Sequence, residues 1–285
     1  MNQENHPNGW LKGLDLSHHQ EEVDWAKLKA DGWQYIFLKA TEGGTYTDPT
    51  FAARREECRR HGLPTGFYHF FRPKGPVNLQ IQNFLQNVGR LQPGELPPVL
   101  DLEVAGEWKS NTELKAQWYE IKLEDRIKMV VDWCEAVEAA LGVAPIIYMS
   151  SGFAAEVLGN APVLSRWKLW VANYTTAPQP RLPQPWSNWT FWQYSESGRV
   201  DGIPANDVDL NWFNGTREDL ARLQVPSFVR RPENPRARQE FVLNICLIGL
   251  LAAGVILLPA MSAWACFGGA MALAMLYTIF FPSRG

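Results

Sequence analysis

The sequence predicts an α/β protein, a modified (β/α)8-type barrel followed by two transmembrane helices. Three observations predict it. Short apolar runs alternate with stretches of helical periodicity through the first two thirds of the chain, the pattern of a mainly parallel sheet wrapped by helices. Acids and tyrosines recur in or near the C-terminal halves of those runs, the end at which such barrels build their sites. Residues 241–281 are almost free of charge, enough for two spans of about 17–20 residues each.

Taken in order, residues 1–11 are a polar leader with no apolar h-region, so a cleaved secretory signal is not expected. Lys12-Gly13-Leu14-Asp15-Leu16-Ser17 reads as a first strand ending in an acid and a serine. Residues 23–30, with Trp25 and Leu28 at helical spacing, read as a short helix stopped at Gly32. The second strand spans 34–41 and runs into Glu42-Gly43-Gly44. A helix over 49–61 stops at Gly62, and a third strand over 63–71 carries Tyr68 and His69. A helix over 77–88 leads to the fourth strand, 97–104. A long helix, with room for an interruption, covers 112–141. Strand five spans 144–150, a short helix 152–158, and strand six 169–174. After a Pro-rich loop at 178–185 come strand seven, 189–194, and strand eight, 208–213. The barrel domain is thus expected over 12–222, with its last part less regular than the first. No period of twenty to fifty residues repeats, which argues against a solenoid.

The fourth strand carries the chemistry. Pro97-Pro98-Val99-Leu100-Asp101-Leu102-Glu103-Val104 sets two acids two residues apart in an apolar run. Side chains alternate across a strand, so both acids share one face at roughly 6.6 Å along the chain. Desolvation and mutual repulsion raise the pKa of at least one of two such carboxyls. A raised carboxyl beside an ionised one suits acid-assisted cleavage of a glycosidic bond. The alternative is a strand end where both acids simply reach solvent. Asp15 and Asp209 come to the same end from two other strands, and four acids from three strands make a site prediction.

Composition removes several function classes. The 285 residues carry a net charge of −3, and no long basic block precedes Arg230, so nucleic acid is not an expected partner. Thirteen tryptophans suit sugar stacking as well as a core, although Trp133, Trp167 and Trp212 read as core. Four cysteines, two of them in the apolar tail, imply no disulfide framework, and whether Cys58 and Cys134 pair is open. His18 and His19 lack any His-x-x-x-His partner spacing, so no metal and no cofactor are expected. Glu42-Gly43-Gly44 lacks the Gly-Lys-Ser/Thr end of a phosphate loop, and Ser17 lies in no Gly-x-Ser-x-Gly elbow.

Residues 223–240 form a Pro- and Arg-rich linker before the apolar tail. Pro259-Ala260-Met261-Ser262 supplies a turn between two expected spans, 241–258 and 263–281, whose small residues Gly254, Gly268 and Gly269 suit close helix contact. The lipid bilayer is therefore an expected partner, in competition with a buried apolar helical pair. Arginines before the first span and Arg284 after the second place both ends on the cytoplasmic side of an inner membrane.

The ordered motifs resemble glycoside hydrolase family 25, the lysozyme-type N-acetylmuramidases. Gly13-Leu14-Asp15-Leu16-Ser17, Phe37-Leu38-Lys39-Ala40-Thr41-Glu42-Gly43, Gly66-Phe67-Tyr68-His69-Phe70 and Leu100-Asp101-Leu102-Glu103 occur in the family's order. So do Trp170-Val171-Ala172-Asn173-Tyr174, Trp192-Gln193-Tyr194 and Asp207-Val208-Asp209-Leu210-Asn211, together covering about 12–214. The resemblance implies hydrolysis of the β-1,4 bond from N-acetylmuramic acid to N-acetylglucosamine, with peptidoglycan as the substrate partner. It implies Glu103 as general acid, and Asp101 as the group that steadies developing charge or orients the substrate's acetamido group. Asp15 and Asp209 flank and tune the site. Tyr68, Tyr174 and Trp192 match aromatic positions near the sugar and, with Tyr148 and Gln193, make the expected substrate-binding set. Many members carry cell-wall-binding repeats, and this chain has none. A wall substrate and a cytoplasmic domain are reconciled by a phage-type lysis protein, an exported effector or an inverted topology. The competing function classes are a non-catalytic peptidoglycan-binding barrel and a lysis factor acting through its membrane hairpin.

Overall fold

The computed structural model describes residues 8–104 and 111–226. The strands are β1 (Leu11–Leu16), β2 (Tyr35–Glu42), β3 (Tyr46–Thr47), β4 (Thr65–Phe70), β5 (Val99–Asp101), β6 (Ile146–Ser150), β7 (Lys168–Ala172), β8 (Phe191–Val200) and β9 (Ile203–Phe213). All but β3 close into one eight-stranded barrel, with β1 pairing both β2 and β9. Strands β1 to β8 of the barrel run parallel, and β9 runs antiparallel to β8 and β1. β3 only adds a short ribbon to the end of β2.

The helices are α1 (Trp25–Ala30), α2 (Phe51–Arg60), α3 (Val77–Val88), α4 (Asn111–Tyr119), α5 (Leu123–Leu141), α6 (Ser151–Glu156) and α7 (Arg217–Leu223). Side-chain caps start several of them. Asp24 accepts from the Lys27 amide at α1, Ser150 from Phe153 at α6, and Thr216 with Asp219 makes a capping box at α7. α5 stops at Gly142, whose φ of 73° is the left-handed conformation that glycine adopts without strain.

Strand alternation sorts the side chains into two cores. Leu14, Ile36, Phe67, Leu100, Ile147 and Leu169 face outward and pack with Phe84, Trp133 and Val137 of the surrounding helices. Tyr35, Phe37, Val99, Ile146, Trp170, Phe191 and Phe213 face inward and fill the barrel. Phe37 stacks on Trp170 with ring centroids 4.4 Å apart. Two glycines make room for these rings. A Cβ on Gly13 would lie 2.3 Å from the Tyr35 ring, and one on Gly66 would lie 2.4 Å from Phe37. The large aromatics of β2 thus depend on side-chain-free backbone in both neighbouring strands.

The expected barrel is present, with corrections. The fourth strand is three residues long, because Asp101 is the last residue paired on both sides, to Phe70 and to Tyr148. The expected long helix is two helices, α4 and α5. The Arg126 guanidinium donates to the Ile121 carbonyl at 2.7 Å and to Val157 at 3.0 Å, holding the turn between them. No helix separates the last two strands, which form a hairpin across Asp201-Gly202. α7 follows where no element was expected. Cys58 and Cys134 are buried free thiols. The expected spans 241–258 and 263–281, and all but the start of the linker, lie outside the described residues. Among the described residues no helix is long and apolar enough to cross a membrane.

Candidate active site

The upper layer of the barrel interior is polar. Asp15, Asp101, Tyr148, Gln193, Asn211 and Asp209 occupy inward positions above the aromatic fill, in register with one another: Asp15 opposite Asp209, Asp101 opposite Tyr148, and Gln193 opposite Asn211. The four expected acids are therefore brought together from β1, β5, the residues after β5, and β9.

They form two pairs. Asp15 stands opposite Asp209 across the β1–β9 ladder, and Asp101 and Glu103, two residues apart, each perturb the other's protonation. Burial raises all four. Asp101 stands well above the usual carboxylate range, first through desolvation and then through the neighbouring Glu103 charge. Desolvation pushes Glu103 up to about 7, against a lowering hydrogen bond from Asp101 and lowering charges on Lys39 and Arg72. Asp209 is pushed up to about 10 by burial and by the charge of Asp15. Asp15 is raised less, because two amides donate to its Oδ2: Asn211 Nδ2 at 2.6 Å and Gln193 Nε2 at 3.0 Å. Asp15 is therefore the acid best equipped to stay ionised. Asp101 Oδ1 is buried without a hydrogen-bond partner.

Two residues outside the expected set complete this arrangement. Asn211 receives the Trp170 indole N–H at 2.8 Å on its own Oδ1, which fixes its amide to donate toward Asp15. Their signal was available: both sit at inward strand positions within the motifs quoted above. Gln193 is fixed similarly, its Oε1 accepting from the Tyr148 and Tyr174 hydroxyls at 2.7 Å each. Tyr174 is 48 % exposed at the rim, so its ring offers a face to a sugar while its hydroxyl stays anchored. Tyr68 points into the same interior, and the Asp15, Asp101 and Asp209 charges, after burial, raise its hydroxyl pKa.

The remaining expected positions lie elsewhere. Trp192 is on the opposite face of β8 from Gln193, buried among Trp10, Trp189 and Tyr194, and its indole donates to the Asn173 carbonyl at 2.8 Å. The period-two alternation that turns Gln193 inward turns Trp192 outward. His69, one of the polar residues noted near the strand ends, also faces out. It lies between Thr41 and Gln80 and stacks on Trp133, and burial lowers it to about 4. Trp133, Trp167 and Trp212 are buried, as expected of core.

Paired carboxyls with raised affinity for protons, beside an ionised one, can protonate a leaving oxygen and stabilise the positive charge left behind. The chain also matches known proteins. The family model "Glycosyl hydrolases family 25" matches residues 14–203. A protein of Escherichia coli K12 called YegX, itself uncharacterised, is 38 % identical over 215 residues, covering 74 % of this chain and 72 % of its own. Lysozyme M1 of Streptomyces globisporus is 30 % identical, covering 75 % of this chain and 71 % of its own. The crystal structure of the bacterial lysozyme from Streptomyces coelicolor superposes with a TM-score of 0.69 at 30 % identity, covering 75 % of this chain and 96 % of that one. The chain belongs to glycosyl hydrolases family 25 and is a glycoside hydrolase.

Proposed function

We propose that the protein is a lysozyme-type N-acetylmuramidase that cleaves the β-1,4 bond between N-acetylmuramic acid and N-acetylglucosamine in peptidoglycan. The observation that carries this is the Asp101–Glu103 pair, with Glu103 raised to about 7 at the mouth of the barrel. Glu103 donates its proton to the glycosidic oxygen as the bond breaks. Asp101, deeper and fixed on β5, faces the sugar's developing positive charge or its acetamido group. Asp15, Asp209 and the Asn211–Gln193 amides hold the charge balance around them. Tyr174 supplies a rim platform for the sugar, with Tyr68 and Tyr148 below it.

The proposal extends to location. The apolar tail anchors the enzyme in the inner membrane as a hairpin with both ends cytoplasmic, where it waits to be released across the membrane at lysis. Val225 is tied by backbone hydrogen bonds to Glu95 at 2.7 Å and Gly94 at 2.9 Å, in the loop before β5. Residues 225–226 therefore lie at the end of the barrel opposite the acids.

Full-length protein in detergent should release new reducing ends from purified peptidoglycan, and intact peptidoglycan at high enzyme concentration would overturn the activity. Protease added to spheroplasts tests the location. The barrel is expected to be protected until the membrane is permeabilised, and digestion from outside would place it facing the wall instead. Leu250→Arg puts a charge at the centre of the first span at a cost of about 2.5–3.5 kcal/mol. It should move the protein out of the membrane fraction.

A further inference from the structure

Lys39 occupies an inward position on β2, above Tyr35 and Phe37. In a regular strand Glu42, three residues on, would face the other way. It does not, because β2 carries a bulge. The register jumps at Ala40, so that Lys39 lies opposite Tyr68 and Thr41 opposite His69. Beyond the bulge Thr41 turns outward to meet His69 at 2.8 Å, and Glu42 turns back onto the face of Lys39, accepting its ammonium at 2.7 Å. Bulges near sites re-aim side chains in this way.

Glu42 also accepts Arg72 Nε at 2.8 Å. Arg72 is itself held by Gln80, which accepts from its backbone N–H at 2.9 Å and donates to its carbonyl at 2.8 Å. The Phe70 ring lies 5.3 Å from the Lys39 ammonium and 4.6 Å from the Arg72 guanidinium, and Phe70 is the register neighbour of Asp101. The Tyr46 ring lies 5.6 Å from the ammonium. Burial pushes the Glu42 carboxyl up, but the charges and hydrogen bonds of Lys39 and Arg72 outweigh it and hold it below its usual value. Two cations and one anion leave one net positive charge against Phe70, the register neighbour of Asp101.

The groups around Glu103 from the other elements are of the opposite kind. Asp15 of β1, Asp101 of β5, and Asp209 of β9 are acids; Tyr68 of β4, Tyr148 of β6 and Tyr174 after β7 are phenols; the Glu196 charge of β8 adds to the acids on Asp209 and Tyr174. Lys39 acts on both Asp101 and Glu103, and Arg72 on Glu103. We infer that Lys39, seated by the Ala40 bulge and clamped by the Glu42–Arg72 ion pair, is a positioning residue whose ammonium lets one carboxyl of the Asp101–Glu103 pair ionise while the other keeps its proton. The role given to the pair rests on the muramidase reading above.

The test reads the carboxyl directly. In full-length protein labelled with 13C at the glutamate carboxyls, the Glu103 resonance is assigned by its loss in Glu103→Gln and titrated by NMR. An opposite charge close to a carboxyl lowers its pKa by about 1–3. Lys39→Gln should therefore raise the Glu103 midpoint by about one pH unit or more, and Lys39→Arg should restore it. Arg72→Gln should raise the midpoint by less. The kcat/KM profile should follow, both limbs moving to higher pH in Lys39→Gln. An unmoved Glu103 midpoint in folded Lys39→Gln overturns the inference, even if activity falls. Should that variant not fold, an unmoved midpoint in Arg72→Gln overturns it equally. If the midpoints move as stated but the wild type leaves peptidoglycan intact, the ion network stands and the muramidase reading fails.

Discussion

Glu103→Gln should lower turnover on peptidoglycan by roughly 10²–10⁴-fold, the usual contribution of a positioned general acid. The amide keeps the shape of the side chain and removes only its transferable proton. The loss should therefore be greatest for substrates with poor leaving groups and small for an aryl glycoside whose leaving group needs no proton. Asp101→Asn should separate from it by impairing both kinds of substrate, since the charge facing the sugar is needed whichever group leaves. Equal losses on both substrates for the two variants would refute this division of labour. The pH dependence has a fixed sign. In its proposed role as general acid Glu103 acts protonated, and burial places it at about 7. Wild-type kcat/KM should thus fall about tenfold per unit as pH rises above that value, while the residual activity of Glu103→Gln stays flat there. Steady-state assays from pH 5 to 9 decide it.

Particular residues show what the sequence could and could not reveal. α3 runs over the expected 77–88, because an apolar stripe and a glycine stop leave little freedom. Asp15, Asp101 and Asp209 meet as expected because an acid inside an apolar strand betrays itself by chemical contrast. Asn211 and Trp170 carry no such contrast, and only their inward strand positions within the quoted motifs point to them. The resemblance puts Trp192 near the sugar, whereas alternation with an inward Gln193 turns it outward. The joining of Lys39 to Glu42 depends on a one-residue bulge, which period-two reasoning excludes. The β8–β9 hairpin was legible in principle: Asp201-Gly202 between two strand-forming runs is a hairpin signal, but an expected (β/α) rhythm masked it.

The acid pair should also cost stability. Asp101 is 5 % exposed, and its Oδ1 has no hydrogen-bond partner. Its pKa in the folded protein lies well above the usual value, through burial and then the Glu103 charge. Below about pH 4, the unfolded value, it is protonated in both states and carries no penalty. As pH rises past that point the unfolded chain releases the proton while the folded protein retains it, or pays to ionise in place. Stability is therefore lost with rising pH until the folded pKa is passed. Asp101→Asn removes this cost and offers an N–H to Glu103. Each unit by which the folded pKa exceeds the unfolded one is worth about 1.4 kcal/mol, so the variant should be more stable by at least about that order at pH 7. At about 2–4 °C per kcal/mol for a domain of this size, its melting temperature should rise by several degrees. The gain should shrink towards zero as the pH is lowered to 4. Thermal melts of both proteins at pH 4, 5.5 and 7 test it, and a variant less stable than wild type at pH 7 would show that Asp101 contributes to the fold rather than being kept for the reaction.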